Sequence, residues 1–522
     1  MKGIAVLTAD GARELDARTI ASLPDSYTLM RRAAIAAAVW LSARVERSVA
    51  VYVGQGNNGG DGWVIARLLR EMAWSVTVYA AGEPRTHDAM RAKEEAERAG
   101  PFALPTGSEA LLLDALLGTG ASGAPRGDIA DAMRAMREAV REQCVVIAID
   151  IPSALDATSG WDFGAVAAAH TLTFGSAKRG QLLRRDLTGS LHVLDIGQVD
   201  AAANEPLLVT ASSVSGWLPS FAPDAYKGTR GRVAIVGGGD GMAGAAILAA
   251  RGAHTSGAGM VRADVARESM LALQIAAPFA TARALDARDW SGIDTQWPDC
   301  MVIGPGLDGT AALLREQVLS LLYAFDGPVV LDAGALTAFR VSEQPDAENV
   351  DASDGAPHPA LEALRHALRG RPALLTPHIG EFRALRPSPY PLARFEAPTQ
   401  LARALNATVL LKGVPTVIAS ADGLRYVSAT GNPALAMGGT GDLLAGIAGT
   451  LLAQGMPALH AGAAAAWIHG VAAERATDFH GGWRGVTMDR LIHELASVWP
   501  QLSSSATGAP QSLVDLPRVP VQ

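Results

Sequence analysis

Apolar and polar positions along this chain follow two rhythms. Residues 10–48 carry apolar side chains at helical spacing, in ARELDARTI and then LMRRAAIAAAVWLSARVERS, and predict helices. The apolar run VAVYVG at 49–54 follows at once and predicts a strand. After the loop QGNNGGDG come the helical WVIARLLREM and the strand SVTVYA, a strand–turn–helix–strand unit of the kind that builds parallel sheets. LLLDALLG (111–118), VVIAIDIP (145–152), HTLTFGS and LHVLDIG predict further strands. The pattern fades between Ile196 and about Trp217, which marks a linker. A fresh alternation then runs through GRVAIVGGG, CMVIGPG, GPVVLDAG, PALLTPH and ATVLLKG, each an apolar strand closed by Gly, Pro or a polar residue. AGAAILAARGAHTSGAGMV reads as a helix lined with small residues. The expectation is two α/β domains, at 1–215 and 216–500, with a flexible tail over 501–522 and a mobile acidic insertion at 342–358.

Composition narrows the classes of partner. A chain of 522 residues is more than one core usually organises, which supports the two-domain count. A net charge of −8 builds no broad basic face, so nucleic acid is not an expected partner. The apolar stretches AAIAAAVWLSA and LLAGIAGTLLAQG fall short of the roughly 20 residues a membrane span needs, and no membrane association is expected. MKGIAVLTADGARELD lacks the apolar stretch of a secretory signal, so a cytoplasmic location is expected. Cys144 and Cys300 each border an apolar strand and read as reduced, buried thiols. Small molecules are the expected substrates and a homo-oligomer the expected assembly.

Candidate chemistry gathers at strand ends. QGNNGGDG joins a strand to a helix, where glycine permits tight turning and lets amides approach a phosphate, although turns also collect glycine. DALLGTG ends a second strand and DIPSALD a third. Parallel strands bring such ends together, and ligands of open α/β sheets bind there. Asp150 is the candidate acid/base group, with loop capping as its alternative role.

The order QGNNGGDG, DALLGTG, DIPS, LTFGSAKRG resembles the NAD(P)H-hydrate epimerase family, the YjeF N-terminal domain, over nearly all of residues 10–200. That resemblance implies a Rossmann-like domain. It implies that Asn57, Asn58, Gly59, Gly60 and Asp61, with Gly118, Thr119, Gly120, Ala121, Ser122, Gly123 and Ala124, line a hydrated nucleotide together with Asp150. It also implies that Asn58, Asp114 and Ser153 hold a potassium ion. The chain departs from the pattern at Ala154, where relatives usually have Gly, and at LMRRAA in place of an LMERAG-like segment.

In the second half, YKGTRGRVAIVGGG is followed in order by GPGLD, LDAGAL, TPHIGEF, LLKGVPTVIAS and GNPALAMGGTGDLLAGIAGTLLAQG. GGTGD sets glycine amides ahead of a helix whose positive end suits a phosphate, with Asp442 at its start. A helix-capping aspartate is the plainer reading of Asp442, and a turn-stabilising histidine that of His378. The ordered set resembles the ADP-dependent (in other members ATP-dependent) NAD(P)H-hydrate dehydratase, a ribokinase-like fold, over about residues 225–495. By that resemblance Asp442 is the base that deprotonates the substrate hydroxyl, and Gly441 with Lys412, Gly413, Val414, Pro415 and Thr416 binds the adenosine nucleotide. Ala245, Gly306 and His378 would contact the hydrated substrate together with Asp442, and Glu381 would support a magnesium-bound phosphate. Departures are Gly334, in place of the second acid of DADAL, and Asp308, where Gly is common. The implied function is repair of hydrated NADH and NADPH: exchange of the R and S epimers, then dehydration of the S form as ADP becomes AMP and phosphate. A ribokinase-type small-molecule kinase and a nucleotide-binding scaffold are the competing readings.

Overall fold

The computed structural model describes residues 3–140, 144–341, 358–386, 393–503 and 512–518. Two compact units divide the chain: Met1–Leu208 with Ala506–Gln522, and Val209–Ser505.

The first unit opens with helices α1 (Ala9–Ile20) and α2 (Ser26–Ser42). Strands β1 (Ser48–Val53), β2 (Ser75–Ala80), β3 (Leu111–Ala115), β4 (Val145–Ile149), β5 (His170–Phe174) and β6 (Ser190–Leu194) pair in parallel in the order β2-β1-β3-β4-β5-β6. Side chains alternate between faces, so Val49, Val51, Leu111, Leu113 and Ile147 pack with α2 residues on one side. Ala50, Tyr52, Leu112 and Val146 pack with Met133 and Met136 on the other. Burial on both faces explains the near-continuous apolar runs. The strand order reverses between β1 and β3, the place where doubly wound sheets open a ligand crevice.

Two expectations for this unit need correction. QGNNGGDG is not all loop: helix α3 runs Asn57–Glu71 and takes NNGGDG into its first turns. Glycine makes this possible, because a Cβ on Gly59 would lie 1.9 Å from the Gly54 carbonyl oxygen, and one on Gly54 1.8 Å from that of Leu116. Within the expected tail, Ser512–Leu516 is ordered, pairing antiparallel with β6 as an edge strand. His192 of β6 meets Asp515 across that edge at 2.6 Å.

The second unit continues with β7 (Arg232–Gly237), α4 (Ala243–Thr255), β8 (Met260–Ala266), β9 (Ala280–Leu285), β10 (Cys300–Ile303), β11 (Val329–Leu331) and β12 (Ala373–Leu375). Helix α5 (Ile379–Leu385), β13 (Thr408–Leu411), β14 (Thr416–Ala419), β15 (Arg425–Ser428), α6 (Thr440–Ala453) and α7 (Ala458–His480) follow. The strands lie in the order β9-β8-β7-β10-β11-β12-β13-β14-β15, parallel as far as β13 and antiparallel beyond it. Here the order reverses between β7 and β10. Val233, Ile235, Val302 and Leu374 pack under α4, α6 and α7. A Cβ on Gly446 of α6 would lie 2.0 Å from the Ala249 carbonyl oxygen of α4, and one on Gly252 of α4 2.3 Å from the Leu443 carbonyl oxygen of α6, so these glycines let the two helices touch. The expected long helix stops early: α4 ends at Thr255, Gly257 turns at φ +91, and β8 starts at Met260.

Both units are α/β, as expected, each built on a largely parallel sheet with helices packed on its faces. Among the described residues no helix is long and apolar enough to cross a membrane. Cys300 is a buried thiol and Cys144 is half-buried. Residues 342–357 of the acidic insertion lie outside the described residues.

Candidate active sites

The first site forms where β1, β3 and β4 end. Asp150 leaves β4 with φ +65, a left-handed conformation that Asp tolerates better than most residues. Gln181 holds it there, its Nε2 donating to the Asp150 carbonyl at 2.6 Å. The Asp150 carboxylate accepts from Lys178 Nζ at 2.7 Å, from the Thr119 amide at 3.0 Å and from the Thr119 hydroxyl. Burial alone would raise its pKa, but the Lys178 ammonium and these donors outweigh it and hold the group below the ordinary carboxylate range. Asp61 has no such cation beside it: burial first, then the neighbouring Asp150 and Asp16 carboxylates, push it well above its usual value.

A second polar knot lies alongside. Asp114, fully buried at the end of β3, accepts from the Ser153 amide at 2.8 Å and the Ser153 hydroxyl at 2.5 Å. Its pKa is raised by burial, against the pull of these bonds. Asn58 is buried with neither side-chain amide atom hydrogen-bonded. A Cβ on Gly118 would sit 3.2 Å from the Asn58 Cβ and 3.3 Å from an Asp150 oxygen, so Gly118 keeps the floor between them open. Gly118, Ala121, Ser122 and Gly123 line a pocket with Pro152, Ala154 and Phe163.

Not every predicted residue reaches this cleft. Gly59 and Gly60 face inward, Gly60 against Met30, where a Cβ would come 2.5 Å from Met30 Cε. Asn57 turns to Thr86, whose hydroxyl donates to it at 2.6 Å. Gly120 and Ala124 do not line the pocket. Ala154 holds φ +71, a conformation that favours glycine.

The second site collects the ends of β7, β10, β11, β12 and β13 around the start of α6. Gly439 caps α6 at φ +94 with no side-chain hydrogen bond, so the first-turn amides lack a side-chain partner. Lys412, at the end of β13, donates to Asp332 at 2.9 Å and lies 3.8 Å from Glu381. A Cβ on Gly441 would lie 3.4 Å from Lys412 Nζ and 3.9 Å from an Asp332 oxygen, which places this group at the helix mouth. Burial, Asp332 and Glu381 push Asp442 up to about 7 against the opposing pull of Lys412. Glu381 is likewise raised, by burial foremost. Gly306, at φ +64, and Ala245 meet face to face: a Cβ on Gly306 would lie 2.8 Å from that of Ala245. Gly413 (φ +144), Val414, the cis peptide to Pro415, and Thr416 form the turn between β13 and β14. His378 caps α5, accepting from the Gly380 amide at 2.9 Å while Glu381 accepts from the His378 amide at 2.8 Å. Its side chain remains more than half exposed.

Sequence reasoning missed Lys178, Asp16 and Gln181 in the first site and Asp332, Thr376 and Arg394 in the second. Thr376 donates to Asp332 at 2.8 Å, and Arg394 donates to the Pro415 carbonyl at 3.0 Å beneath the turn. Lys178 and Asp332 stood within quoted motifs, but nothing in the sequence showed which carboxylate or cation each would meet.

Two glycine-built clefts, each where strand order reverses in the parallel part of its sheet and each lined by buried carboxylates with a lysine among them, are the architecture of a two-domain enzyme acting on small molecules. Residues 26–180 match the family model described as YjeF-related protein N-terminus, and residues 233–497 that described as NAD(P)H-hydrate dehydratase. The bifunctional NAD(P)H-hydrate repair enzyme Nnr of Moorella thermoacetica is 34% identical, with 82% of this chain and 83% of that protein covered. The Escherichia coli K12 protein of the same description is also 34% identical, with 86% and 85% covered. The crystal structure of the ADP/ATP-dependent NAD(P)H-hydrate dehydratase of Bacillus subtilis, co-crystallised with ATP and Mg2+, is 32% identical over 58% of this chain and all of that one, with a TM-score of 0.48. The chain belongs to the family of bifunctional NAD(P)H-hydrate repair enzymes, with an epimerase domain followed by a dehydratase domain.

Proposed function

We propose that the N-terminal unit interconverts the R and S epimers of hydrated NADH and NADPH, and that the C-terminal unit dehydrates the S form as ADP becomes AMP and phosphate. The observation that carries the second half is Asp442, poised near pH 7 at the uncapped mouth of α6 beside Lys412. Asp442 takes the proton of the substrate hydroxyl, whose oxygen attacks the terminal phosphoryl group while AMP leaves. The C–O bond then breaks with its electron pair going to phosphate, and loss of a proton from the adjacent carbon restores the dihydronicotinamide double bond. Gly441 and the Lys412–Thr416 turn hold the nucleotide, and Ala245, Gly306 and His378 hold the hydrated ring.

In the first unit Asp150 is the acid/base group, with Asp61, Thr119 and the pocket of Gly118, Ala121, Ser122 and Gly123 around the hydrated ring. The donor set of Asn58, Asp114 and Ser153 is oxygen-rich and includes a buried amide oxygen with no partner, which fits a hard monovalent cation such as potassium. Such an ion would supply fixed positive charge for the substrate phosphates. Mg2+ would neutralise charge on the transferring phosphoryl group and would rest mainly on the substrate phosphates with Glu381 in support, since among the described residues no three His, Cys, Asp or Glu side chains are grouped to hold a metal ion.

Asp442→Asn is expected to abolish dehydration while epimer exchange continues. Asp150→Asn keeps a residue that accepts the left-handed backbone and is expected to stop exchange while dehydration of the S form continues. Phosphate release and chromatographic separation of the epimers read the two activities. Dehydration by Asp442→Asn, exchange by Asp150→Asn, or a stable phosphorylated product would each overturn the corresponding half.

A further inference from the structure

Lys178 ends the short strand Ala177–Lys178 in the LTFGSAKRG segment, and the proposed chemistry gives it no role. Its side chain is 5% exposed and ends at three oxygens: Asp150 Oδ1 at 2.7 Å, Thr173 Oγ1 at 2.7 Å and the Ser176 carbonyl at 3.5 Å. Its backbone is fixed too, its amide donating to Gln181 Oε1 at 2.7 Å, while Gln181 Nε2 donates to the Asp150 carbonyl at 2.6 Å. One side chain, Gln181, thus ties the lysine and the aspartate to the same frame. An ion pair this dry adds little net stability over apolar packing, because desolvation offsets the attraction. What it does fix is the direction and charge of the carboxylate.

We infer that Lys178 is the positioning residue of the N-terminal site: its ammonium aims Asp150 at the reacting centre and keeps it as a carboxylate inside a buried pocket. The inference rests on Asp150 being the acid/base group. The groups that face this carboxylate are Lys178, Asp16 from α1 and Asp61 from α3. Asp16 and Asp61 are acids whose own pKa values the Asp150 carboxylate raises, so Lys178 alone among the three favours ionisation of Asp150. Asp16 is itself anchored by Gln198 Nε2 at 2.6 Å.

The test compares the pH profile of epimer exchange in the full chain for wild type, Lys178→Gln, Lys178→Arg and Asp150→Asn. Lys178→Gln keeps a donor and removes the charge. The acid limb of its kcat profile is expected to move up by about 1–3 pH units, with KM changed far less than kcat. Lys178→Arg is expected to retain a limb within about half a unit of wild type. An unmoved limb in Lys178→Gln overturns the inference. Should Lys178→Gln fail to fold, carbon-13 NMR titration of the wild-type aspartates, assigned against Asp150→Asn, decides instead. Asp150 titrating below about 3.9 supports the inference, and titration at or above that value overturns it. Exchange that survives in Asp150→Asn sinks the acid/base assignment itself, an outcome separate from failure of the lysine's role.

Discussion

The charge balance at the mouth of α6 makes a quantitative prediction for Asp332→Asn. Moving an aspartate from 3.8 to about 7 amounts to roughly 4 kcal/mol in favour of its protonated form. Burial supplies the largest part at Asp442, the Asp332 carboxylate adds to it, and Lys412 opposes both. Asp332→Asn removes that carboxylate and also takes from Lys412 its counter-ion at 2.9 Å, leaving more of the ammonium's field on Asp442. Both changes lower the Asp442 pKa. Because the base acts only when ionised, dehydration by the wild-type protein should fall about tenfold per pH unit below about 7. In Asp332→Asn that limb should move down by roughly one pH unit, while the plateau rate drops because Lys412 is less firmly placed. The assay follows recovery of dihydronicotinamide absorbance from the S epimer, with ADP and Mg2+, between about pH 5 and 9. A limb that stays in place or moves upward would refute the assignment of the titrating base to Asp442.

Gly306→Val should impair dehydration and spare epimer exchange, since φ +64 and a Cβ 2.8 Å from that of Ala245 leave no room for a branched side chain. Strain of roughly 1–3 kcal/mol is expected, read as a raised KM for the hydrated substrate, and an unchanged KM contradicts the placement. His469 is buried on α7 with Nε2 unpartnered, and its pKa is pushed down to about 4, mainly by burial. The unfolded chain therefore binds a proton near pH 6.5 that the folded chain refuses until about 4, so stability is full above 6.5 and is lost as pH falls toward 4. At pH 5 the loss is about 2 kcal/mol, measurable as a denaturation midpoint that falls less in His469→Leu than in wild type.

Strand ends were the legible part of this sequence. Apolar runs closed by glycine or a polar residue mark β1, β3, β4, β7, β10, β11, β12 and β13, because strands buried on both faces admit few polar side chains. β8 was not legible: MVRADVA carries Arg262 and Asp264, which look like surface residues until the fold sets them 3.1 Å apart in the interior. The edge strand SLVDL was hidden in a tail whose composition suggests disorder, and only pairing with β6 gives it shape. NNGGDG has poor helix propensity, yet glycine is what lets α3 begin against the end of β1. Asp150, Asn58 and Asp442 could be singled out as candidates because motifs carry them. The Lys178–Asp150 and Lys412–Asp332 pairs span 28 and 80 residues, distances at which local pattern says nothing about contact.

The central claim is that one chain carries both reactions, with Asp150 serving one and Asp442 the other. An equal mixture of the R and S epimers of hydrated NADH, supplied with ADP, Mg2+ and K+, tests it most directly through the absorbance of restored NADH. The wild-type protein should restore all of it, and Asp150→Asn only the S share together with whatever the epimers exchange unaided. Full recovery at the wild-type rate by Asp150→Asn, or no consumption of ADP by the wild-type protein, would contradict the account.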